Sequence, residues 1–338
     1  MCEDGNITVV FPEPRKVVLE EYPIPQIKRG EVLIKTRRTL ISTGTELTIL
    51  SGEFPPNSVW ARLSKFPFIP GYSNIGEIVD VGEDVEKRWI GKKVATYRGG
   101  YHAQYIVSTP DNCCIVPEGI LDDYATFFAL ARTAMNGVRK GKVWWGEKVA
   151  IYGLGILGQL TARFCHIAGA RPIVCIDISD KRLKYLPNLP GIAGINPRKE
   201  ESIGSIKKLT RNSLFDVVFE VTGNPDIISQ ELEILKPQGR FVVLSSPRGK
   251  TLFDFHDLCN WPSYIIIGAH NSSHPQVETP DDPWTEKRHT ELFFDLTANG
   301  ELDVESLITH RGSYKKAPEL YKMLLEDRSQ ALGVILEW

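Results

Sequence analysis

The stretch that most constrains the fold is a buried-strand pattern at residues 149–152, which breaks into Gly153-Leu154-Gly155-Ile156-Leu157-Gly158 and runs directly into an apolar-periodic helix. A second short apolar run follows and ends at Asp177. Strand, Gly-x-Gly-x-x-Gly turn, helix, strand and acid in this order are typical of a dinucleotide-binding βαβ unit. The pattern therefore predicts a parallel sheet with a nucleotide at the loop.

The residue types in this motif each have a physical role. Gly153 permits the tight turn, Gly155 lets the backbone approach a pyrophosphate, and Gly158 lets helix and strand pack closely. Asp177 is expected to accept hydrogen bonds from both ribose hydroxyls and to repel a 2′-phosphate, which favours NAD over NADP. Arg182, in the next helix, is close enough along the chain to reach a phosphate, so NADP stays possible. In the alternative interpretation, the glycines only permit a turn in another α/β fold and Asp177 only caps a helix.

Composition is typical of a soluble enzyme whose partner is a small molecule. At 338 residues the chain exceeds one hydrophobic core, so two domains are expected. With 40 basic and 42 acidic residues and no block of like charge, neither a nucleic-acid nor a membrane partner is indicated. No apolar run approaches the roughly 20 residues that span a bilayer, and the start lacks a signal-peptide pattern, so a cytoplasmic location is expected. The cysteines lack Cys-x-x-Cys spacing and are expected to be reduced packing residues: Cys2, Cys113, Cys114, Cys165, Cys175 and Cys259.

Three regions of the chain differ in pattern. Residues 1 to about 125 hold short β-type runs broken by Pro and Gly, which predicts an antiparallel, barrel-like domain. From about 126 to 270, β-type runs alternate with helical patterns, which predicts a parallel sheet with its ligand at the carboxyl ends of the strands. Thr222 and Ser245 lie in loops expected at that edge. The predicted strands of this region are 148–152, 173–176, 215–221, 240–245 and 264–268.

Several segments resemble the medium-chain dehydrogenase/reductase superfamily, and the resemblance covers essentially the full length. They include Gly30-Glu31-Val32-Leu33-Ile34-Lys35, Ile69-Pro70-Gly71-Tyr72 and Leu307-Ile308-Thr309-His310-Arg311. The resemblance implies an α/β protein. A GroES-like antiparallel β-barrel catalytic domain is expected at 1–130 and 271–338, and a Rossmann domain with a doubly wound parallel sheet at 131–270. It also implies hydride transfer between a nicotinamide and an alcohol, carbonyl or activated alkene, with Thr133 beneath the nicotinamide.

The positions that hold zinc in the family are changed here. Zinc-binding members have Cys-Gly-Thr-Asp where this chain has Thr43-Gly44-Thr45-Glu46, and Gly-His-Glu where it has Gly71-Tyr72-Ser73. The third ligand position falls near Ala129. These side chains supply none of the thiolate or imidazole ligands that zinc needs, so we expect an enzyme without zinc or another metal. Ser42 to Glu46, together with Pro70-Gly71-Tyr72, resembles a zinc-lacking subgroup that includes bacteriochlorophyllide a dehydrogenase.

Without zinc, hydrogen-bond donors must stabilise charge on the substrate oxygen. Thr45 matches the family position whose hydroxyl touches the substrate alcohol, and Tyr72 occupies a vacated metal position. Glu46 and His102 are secondary candidates for general acid/base catalysis. The alternatives are that Tyr72 fills space left by the metal, that Glu46 pairs with an arginine, and that His102 is an ordinary loop residue.

The leading hypothesis is a zinc-independent NAD(P)-dependent oxidoreductase that interconverts a secondary alcohol and a ketone. One alternative is an alkene or quinone reductase of the same fold, and another is a non-catalytic nucleotide-binding regulator. The apolar run at 264–268 is expected to form the outer edge of the parallel sheet, which predicts a homodimer through that edge.

Overall fold

The computed structural model describes residues 5–199 and 202–338; Cys2 lies outside these ranges. The chain divides into two compact units. The first consists of the residues up to Ala129 together with Glu286–Trp338, and the second is Leu130–Thr285.

The strands and helices of the described residues are as follows. The strands are β1 (Gly5–Val10), β2 (Val18–Pro23), β3 (Val32–Leu40), β4 (Asn74–Val81), β5 (Lys93–Thr96), β6 (Tyr105–Ser108), β7 (Cys113–Ile115), β8 (Val149–Tyr152), β9 (Ile173–Ile176), β10 (Ile192–Ile195), β11 (Phe215–Glu220), β12 (Leu235–Val243), β13 (Ile265–Gly268), β14 (Ile308–Ser313) and β15 (Gly333–Glu337). The α-helices are α1 (Thr45–Ser51), α2 (Val59–Leu63), α3 (Asp122–Ala125), α4 (Phe128–Lys140), α5 (Ile156–Ile167), α6 (Asp180–Leu183), α7 (Ser202–Thr210), α8 (Ile228–Glu231), α9 (Glu286–Ala298) and α10 (Ala317–Glu326).

The first unit is built on a mainly antiparallel sheet in the order β14-β15-β3-β4-β5-β7, with β6 also paired to β3. Strand β3 alternates buried and more exposed residues, which is the pattern of a strand with one face on a core. Its residues Val32 and Ile34 pack with Ile78 of β4 and Val94 of β5. The predicted antiparallel domain is therefore confirmed.

Helices α1 and α10 pack on each other in the first unit, although they are far apart in sequence. Their apolar residues share one core cluster, which includes Leu47, Leu50, Tyr321 and Leu324 together with Phe11 of the hairpin formed by β1 and β2. This packing brings the start of α1 against the middle of α10, and both carry residues of the candidate site.

The second unit is a six-stranded parallel sheet in the order β10-β9-β8-β11-β12-β13. This is the strand order of a doubly wound dinucleotide-binding fold, so the predicted parallel sheet is confirmed. The unit also contains β10, which the sequence pattern did not predict, because Ile-Ala-Gly-Ile is short and only its last residue is buried. The unit extends to Thr285, past the predicted boundary at residue 270.

Two further sequence features can be compared with the structure. No helix among the described residues is long and apolar enough to cross a membrane. The cysteines from Cys113 onward are free thiols, and four of these five are buried. Burial raises the pKa of Cys113 and Cys175 to about 12, so these thiols stay protonated and act as small packing groups.

Candidate active site

The glycine-rich turn connects β8 to α5 in the second unit. Gly153 has a φ of +91°, and a Cβ there would lie 2.9 Å from the backbone of Val221. A Cβ on Gly158 would lie 1.9 Å from the carbonyl oxygen of Gly153. In contrast, nothing lies within 4 Å of the position that a Cβ on Gly155 would take. Packing within the chain therefore requires glycine at two positions, whereas the third borders open space at the amino end of α5, where an anion is favoured.

Asp177 follows β9 and is tied to this turn. Its Oδ2 accepts a hydrogen bond from the Leu154 amide at 2.7 Å, and its Oδ1 accepts one from the Ser179 amide at 2.8 Å. Arg182 lies 3.7 Å from Oδ2, within ion-pair distance. Because a carboxylate oxygen has two lone pairs, Oδ1, which has one amide partner, retains capacity for a ribose hydroxyl. Asp177 thus shapes the turn and also presents an acceptor group at the carboxyl end of β9.

Glu220 joins the next two loops at the same edge of the sheet, and sequence reasoning missed it. Its Oε1 accepts hydrogen bonds from the Thr222 amide and hydroxyl, both at 2.7 Å, and from the Gly223 amide at 2.8 Å. Its Oε2 accepts one from the hydroxyl of Ser245. The predicted cofactor residues Thr222 and Ser245 are therefore brought together by one buried carboxylate. A signal was present in the sequence, because an acid that ends a buried strand needs several donors.

A second buried carboxyl group, Glu231 of α8, lies in the electrostatic field of Glu220. Its side chain is fully buried, and neither oxygen has a hydrogen-bond partner among the described residues. Burial, and then the negative charge of Glu220, raise the pKa of Glu231 from 4.5 to about 10. Glu231 is therefore a neutral carboxylic acid at neutral pH.

Glu231→Gln should stabilise the protein increasingly as the pH rises. Between the unfolded pKa of 4.5 and the folded pKa of about 10, folding must take up a proton at Glu231. That uptake costs about 1.4 kcal/mol more for each pH unit in this window. Glutamine mimics the neutral acid and removes the cost. In urea unfolding at pH 6, 7 and 8, we expect the free energy of unfolding of the variant to exceed that of the wild type by an amount that grows with pH. Glu233→Gln, at an exposed neighbouring residue, is the control. If the free energy of unfolding of Glu231→Gln depends on pH in the same way as that of the wild type, the prediction is contradicted.

Thr133 of α4 is tied to the segment after β13. Its hydroxyl donates to Oδ1 of Asn271 at 3.2 Å. Asn136, on the same helix, donates to the Ser273 hydroxyl at 3.0 Å. These bonds explain why the residues after 270 group with the second unit.

Tyr72 and Thr45 meet at a third residue, Ser42, in the first unit. The Tyr72 hydroxyl donates to Oγ of Ser42 at 2.6 Å, and the backbone amide of Thr45 donates to the same oxygen at 3.3 Å. Tyr72 and Thr45 are partly exposed, whereas Ser42 is buried. The structure therefore brings the two leading candidates together around a serine that sequence reasoning had not selected. Ser42 lies three residues before the first residue of α1, and a serine at this distance can accept a hydrogen bond from an amide of the helix start, which is a recognisable signal.

Glu46 and His102 form a buried group with Tyr321 of α10, and we call these three residues the Glu46 cluster. Oε2 of Glu46 lies 3.2 Å from Nε2 of His102 and accepts a hydrogen bond from the Tyr321 hydroxyl at 2.5 Å. Glu46 is 2% exposed and the other two are 0% exposed. Burial, and then the charge of Glu46, raise the pKa of Tyr321 well above its usual value. Both secondary candidates are thus brought together, and all three side chains of the Glu46 cluster are buried.

The three positions implied for zinc do not form a set of zinc ligands. Thr43 is buried, the Tyr72 hydroxyl is hydrogen-bonded to Ser42, and the side chain of Ala129 has no atom that could bind a metal. Zinc in proteins takes thiolate, imidazole or carboxylate ligands. Within the part of the chain that the structure describes, no group of three or more His, Cys, Asp or Glu side chains could hold a metal ion. The residues present therefore do not fit zinc.

Comparisons with known proteins agree with this fold. Residues 28–156 match the model of the alcohol dehydrogenase GroES-like domain, and residues 157–278 match the model of the zinc-binding dehydrogenase family. L-threonine 3-dehydrogenase from Pyrococcus horikoshii is 28% identical, with 90% of this chain and 91% of that protein covered. An oxidoreductase of unknown specificity from Escherichia coli superimposes with a TM-score of 0.83 at 20% identity, over 98% of this chain and 99% of that one. An Escherichia coli alcohol dehydrogenase in complex with NADH superimposes with a TM-score of 0.82 at 17% identity, over 99% and 100%.

The two matched models are adjacent and together span residues 28–278. The first unit supplies the antiparallel GroES-like sheet, and the second supplies the parallel sheet with its glycine-rich turn. By these matches and this architecture, the chain belongs to the medium-chain dehydrogenase/reductase superfamily and is an NAD(P)-dependent dehydrogenase.

Proposed function

We propose that this protein is a zinc-independent oxidoreductase that interconverts a secondary alcohol and a ketone and prefers NAD. The observation that carries the proposal is the hydrogen bond of 2.6 Å between Tyr72 and Ser42. Tyr72 matches the sequence position of a metal ligand in zinc-binding members of the family, and the hydrogen bond brings a second hydroxyl group, that of Ser42, next to it. The L-threonine 3-dehydrogenases among the relatives support an alcohol substrate, because carbon 3 of threonine carries a secondary alcohol.

The unit that contains Thr45 and Tyr72 is proposed as the catalytic domain, near the predicted limits of 1–130 and 271–338. The parallel-sheet unit is proposed as the dinucleotide-binding domain, near 131–270. The turn from Gly153 to Gly158 would hold the pyrophosphate at the amino end of α5, and Asp177 would hold the ribose. Bound NAD would supply a nicotinamide ring that accepts a hydride.

The reaction on the substrate side would depend on hydroxyl groups of this chain. When a ketone is reduced, negative charge develops on its oxygen, and a neutral donor aimed at that oxygen stabilises the charge. Tyr72 is the proposed donor. Its single hydroxyl hydrogen would turn from Ser42 to the substrate oxygen, and the Ser42 hydroxyl would then donate to the phenol oxygen. Thr45 adds a second hydroxyl. In the reverse direction the alcohol would donate its hydrogen bond to the same groups, its hydride would pass to bound NAD, and its proton would pass through the partly exposed Tyr72 hydroxyl to solvent. Because the hydroxyl oxygen atoms of Tyr72 and Ser42 already lie 2.6 Å apart, only hydrogen atoms need to move during the reaction, so little reorganisation is required.

A substrate panel tests the reaction class. The full-length protein is assayed with NADH and NADPH against ketones, quinones and activated alkenes, and with NAD and NADP against secondary alcohols. Reduction of ketones and oxidation of secondary alcohols are expected. Reduction of alkenes or quinones alone would favour the reductase alternative. Tight NADH binding without turnover on any substrate would favour the non-catalytic regulator.

The preference for NAD is proposed to depend on the charge of Asp177. Asp177→Asn keeps an acceptor for the Leu154 amide but removes the charge, and it releases Arg182 from its ion pair. We expect the ratio of NAD to NADP affinity to fall about tenfold to a hundredfold, because a hydrogen bond to a charged group contributes roughly 1.5–3 kcal/mol. Titration of the variant and the wild type with both cofactors measures the ratio. An unchanged ratio would assign ribose recognition to other residues.

A homodimer is proposed through the edge strand β13. This strand is the last of the sheet, and its residues Ile265 and Ile266 are 53% and 42% exposed. Two β13 edges can pair and cover both apolar patches. Sedimentation of the wild type should give a dimer, and Ile266→Lys should shift the protein towards monomer. A wild-type monomer at micromolar concentration contradicts the proposal.

A further inference from the structure

The Glu46 cluster is costly for the core in which it lies. The ring of Tyr321 packs against Phe11 with the centroids 5.1 Å apart, inside an apolar cluster. Oε1 of Glu46 and Nδ1 of His102 have no hydrogen-bond partner among the described residues. A buried carboxylate with an unsatisfied oxygen destabilises a fold relative to apolar side chains of the same volume. Packing alone therefore gives no reason for an acid, an imidazole and a phenol at this place.

The cluster joins the two segments that carry the candidate catalytic hydroxyls. Glu46 is the second residue of α1, and its amide donates to the carbonyl oxygen of Ser42 at 3.2 Å. Glu46 therefore links the start of the helix that holds Thr45 to His102 and Tyr321, the two partners of its carboxylate. Any rotation of this helix start would move Ser42, the acceptor of the Tyr72 hydroxyl.

The second segment is the turn that ends in Tyr72. The His102 amide donates to the carbonyl oxygen of Pro70 at 3.0 Å, and the His102 carbonyl accepts from the Val9 amide at 2.9 Å. A Cβ on Gly71, whose φ is +110°, would lie 2.6 Å from the His102 nitrogen. The backbone of His102 is thus fixed on both sides and lies directly against the residue before Tyr72.

Tyr321 connects both segments to α10. The Tyr321 hydroxyl donates to Glu46. Tyr321 is also close enough to Tyr72 for the Tyr72 phenol to contribute to the raised pKa of Tyr321. The carboxylate of Glu46 is therefore held from one side by His102, which is fixed to the Tyr72 turn, and from the other by Tyr321.

We propose that Glu46, His102 and Tyr321 are positioning residues that set the hydrogen bond between Tyr72 and Ser42, and that they act on turnover through Tyr72 without contacting the substrate. The proposal rests on the function proposed above. It assigns the cluster a role different from general acid/base catalysis, because all three side chains are at most 2% exposed.

Tyr321→Phe tests the proposal, because it removes one hydroxyl and keeps the ring that packs on Phe11. Misplacement of a reacting group by a fraction of an ångström to 1 Å lowers turnover substantially, so we expect kcat to fall about tenfold to a hundredfold. KM for NAD and the Kd for NADH should stay unchanged. Tyr314→Phe is the matched control: Tyr314 is a buried tyrosine of the same unit whose ring stacks on Trp338, and its loss of a hydroxyl should leave kcat unchanged.

A double-mutant cycle separates positioning from a general loss of structure. If the cluster acts through Tyr72, adding Tyr321→Phe to the Tyr72→Phe enzyme should lower kcat no further. Glu46→Gln should behave in the same way, which guards against a Tyr321→Phe protein that is poorly folded. Melting temperatures and circular dichroism of every variant establish that the folded state is the one assayed.

The outcomes distinguish this proposal from the one on which it rests. Normal turnover in Tyr72→Phe contradicts the proposed function. Normal turnover in both Tyr321→Phe and Glu46→Gln contradicts the positioning role. The positioning role is also contradicted if Tyr321→Phe lowers kcat as much in the Tyr72→Phe enzyme as in the wild type. In that case the cluster only supports the fold.

Discussion

Tyr72→Phe should lower kcat by about 10²- to 10³-fold, the effect measured when one preorganised donor to a developing oxyanion is removed. The substitution keeps the ring and deletes only the hydroxyl that donates to Ser42 at 2.6 Å. We expect KM for the alcohol to change little, because the interaction strengthens as charge develops in the transition state. Affinity for NADH should be unchanged, since the glycine-rich turn and Asp177 lie in the other compact unit.

The rate and its isotope effect are measured together. A substrate with deuterium on the carbinol carbon should show a larger isotope effect on kcat in Tyr72→Phe than in the wild type, because hydride transfer becomes more rate-limiting. Ser42→Ala should also lower kcat, since it removes the hydroxyl group that orients the phenol. Tyr314→Phe again serves as the control. A kcat for Tyr72→Phe within about threefold of the wild type would assign Tyr72 to filling space.

Gly155→Ala and Gly158→Ala should differ in their effect on the stability of the fold, although both glycines belong to one motif. A Cβ at residue 155 meets nothing within 4 Å, and the φ of −63° and ψ of −179° there suit alanine. We expect a folded protein of wild-type stability whose affinity for NADH falls at least about a hundredfold, because the new methyl group occupies the place of the pyrophosphate. A Cβ at residue 158 lies 1.9 Å from the Gly153 carbonyl oxygen, so that variant should lose stability without any ligand.

Two measurements on each variant check this pair. In thermal unfolding without cofactor, Gly155→Ala should have the same midpoint temperature as the wild type, and Gly158→Ala should have a lower one. Titration with NADH should show weakened binding by Gly155→Ala. Gly146→Ala, at another glycine of the same unit with open space around its Cβ position, is the control for NADH binding, although its φ of +81° carries some backbone strain. Wild-type affinity of Gly155→Ala for NADH would mean that the turn serves packing only.

The second unit was predictable because its determinants are local. The turn at 153–158 and Asp177 lie on consecutive elements, and packing within the chain explains two of the three glycines, Gly153 and Gly158. The exception is β10, whose four residues include a glycine and lack a buried run. Its pairing with β9 depends on the neighbouring strand and not on its own pattern.

The candidate catalytic hydroxyls were predictable only in part, because their partners are distant in sequence. Tyr72 and Thr45 could be selected from the changed zinc motif, but their link through Ser42 depends on two segments that meet only in the folded sheet. The partners of Glu46 are His102 and Tyr321, and the last lies 275 positions away along the chain. No periodicity in α10 distinguishes Tyr321 from an ordinary core aromatic.

Hydroxyl side chains, and not a bound cation, are proposed to activate the substrate oxygen. The most direct test of this proposal is zinc content and turnover measured on one purified full-length preparation, before and after exhaustive chelation. Full alcohol oxidation is expected with far less than one zinc per chain, and chelation should not change the turnover. One tightly bound zinc per chain, with activity lost on its removal and restored by added zinc, would contradict it.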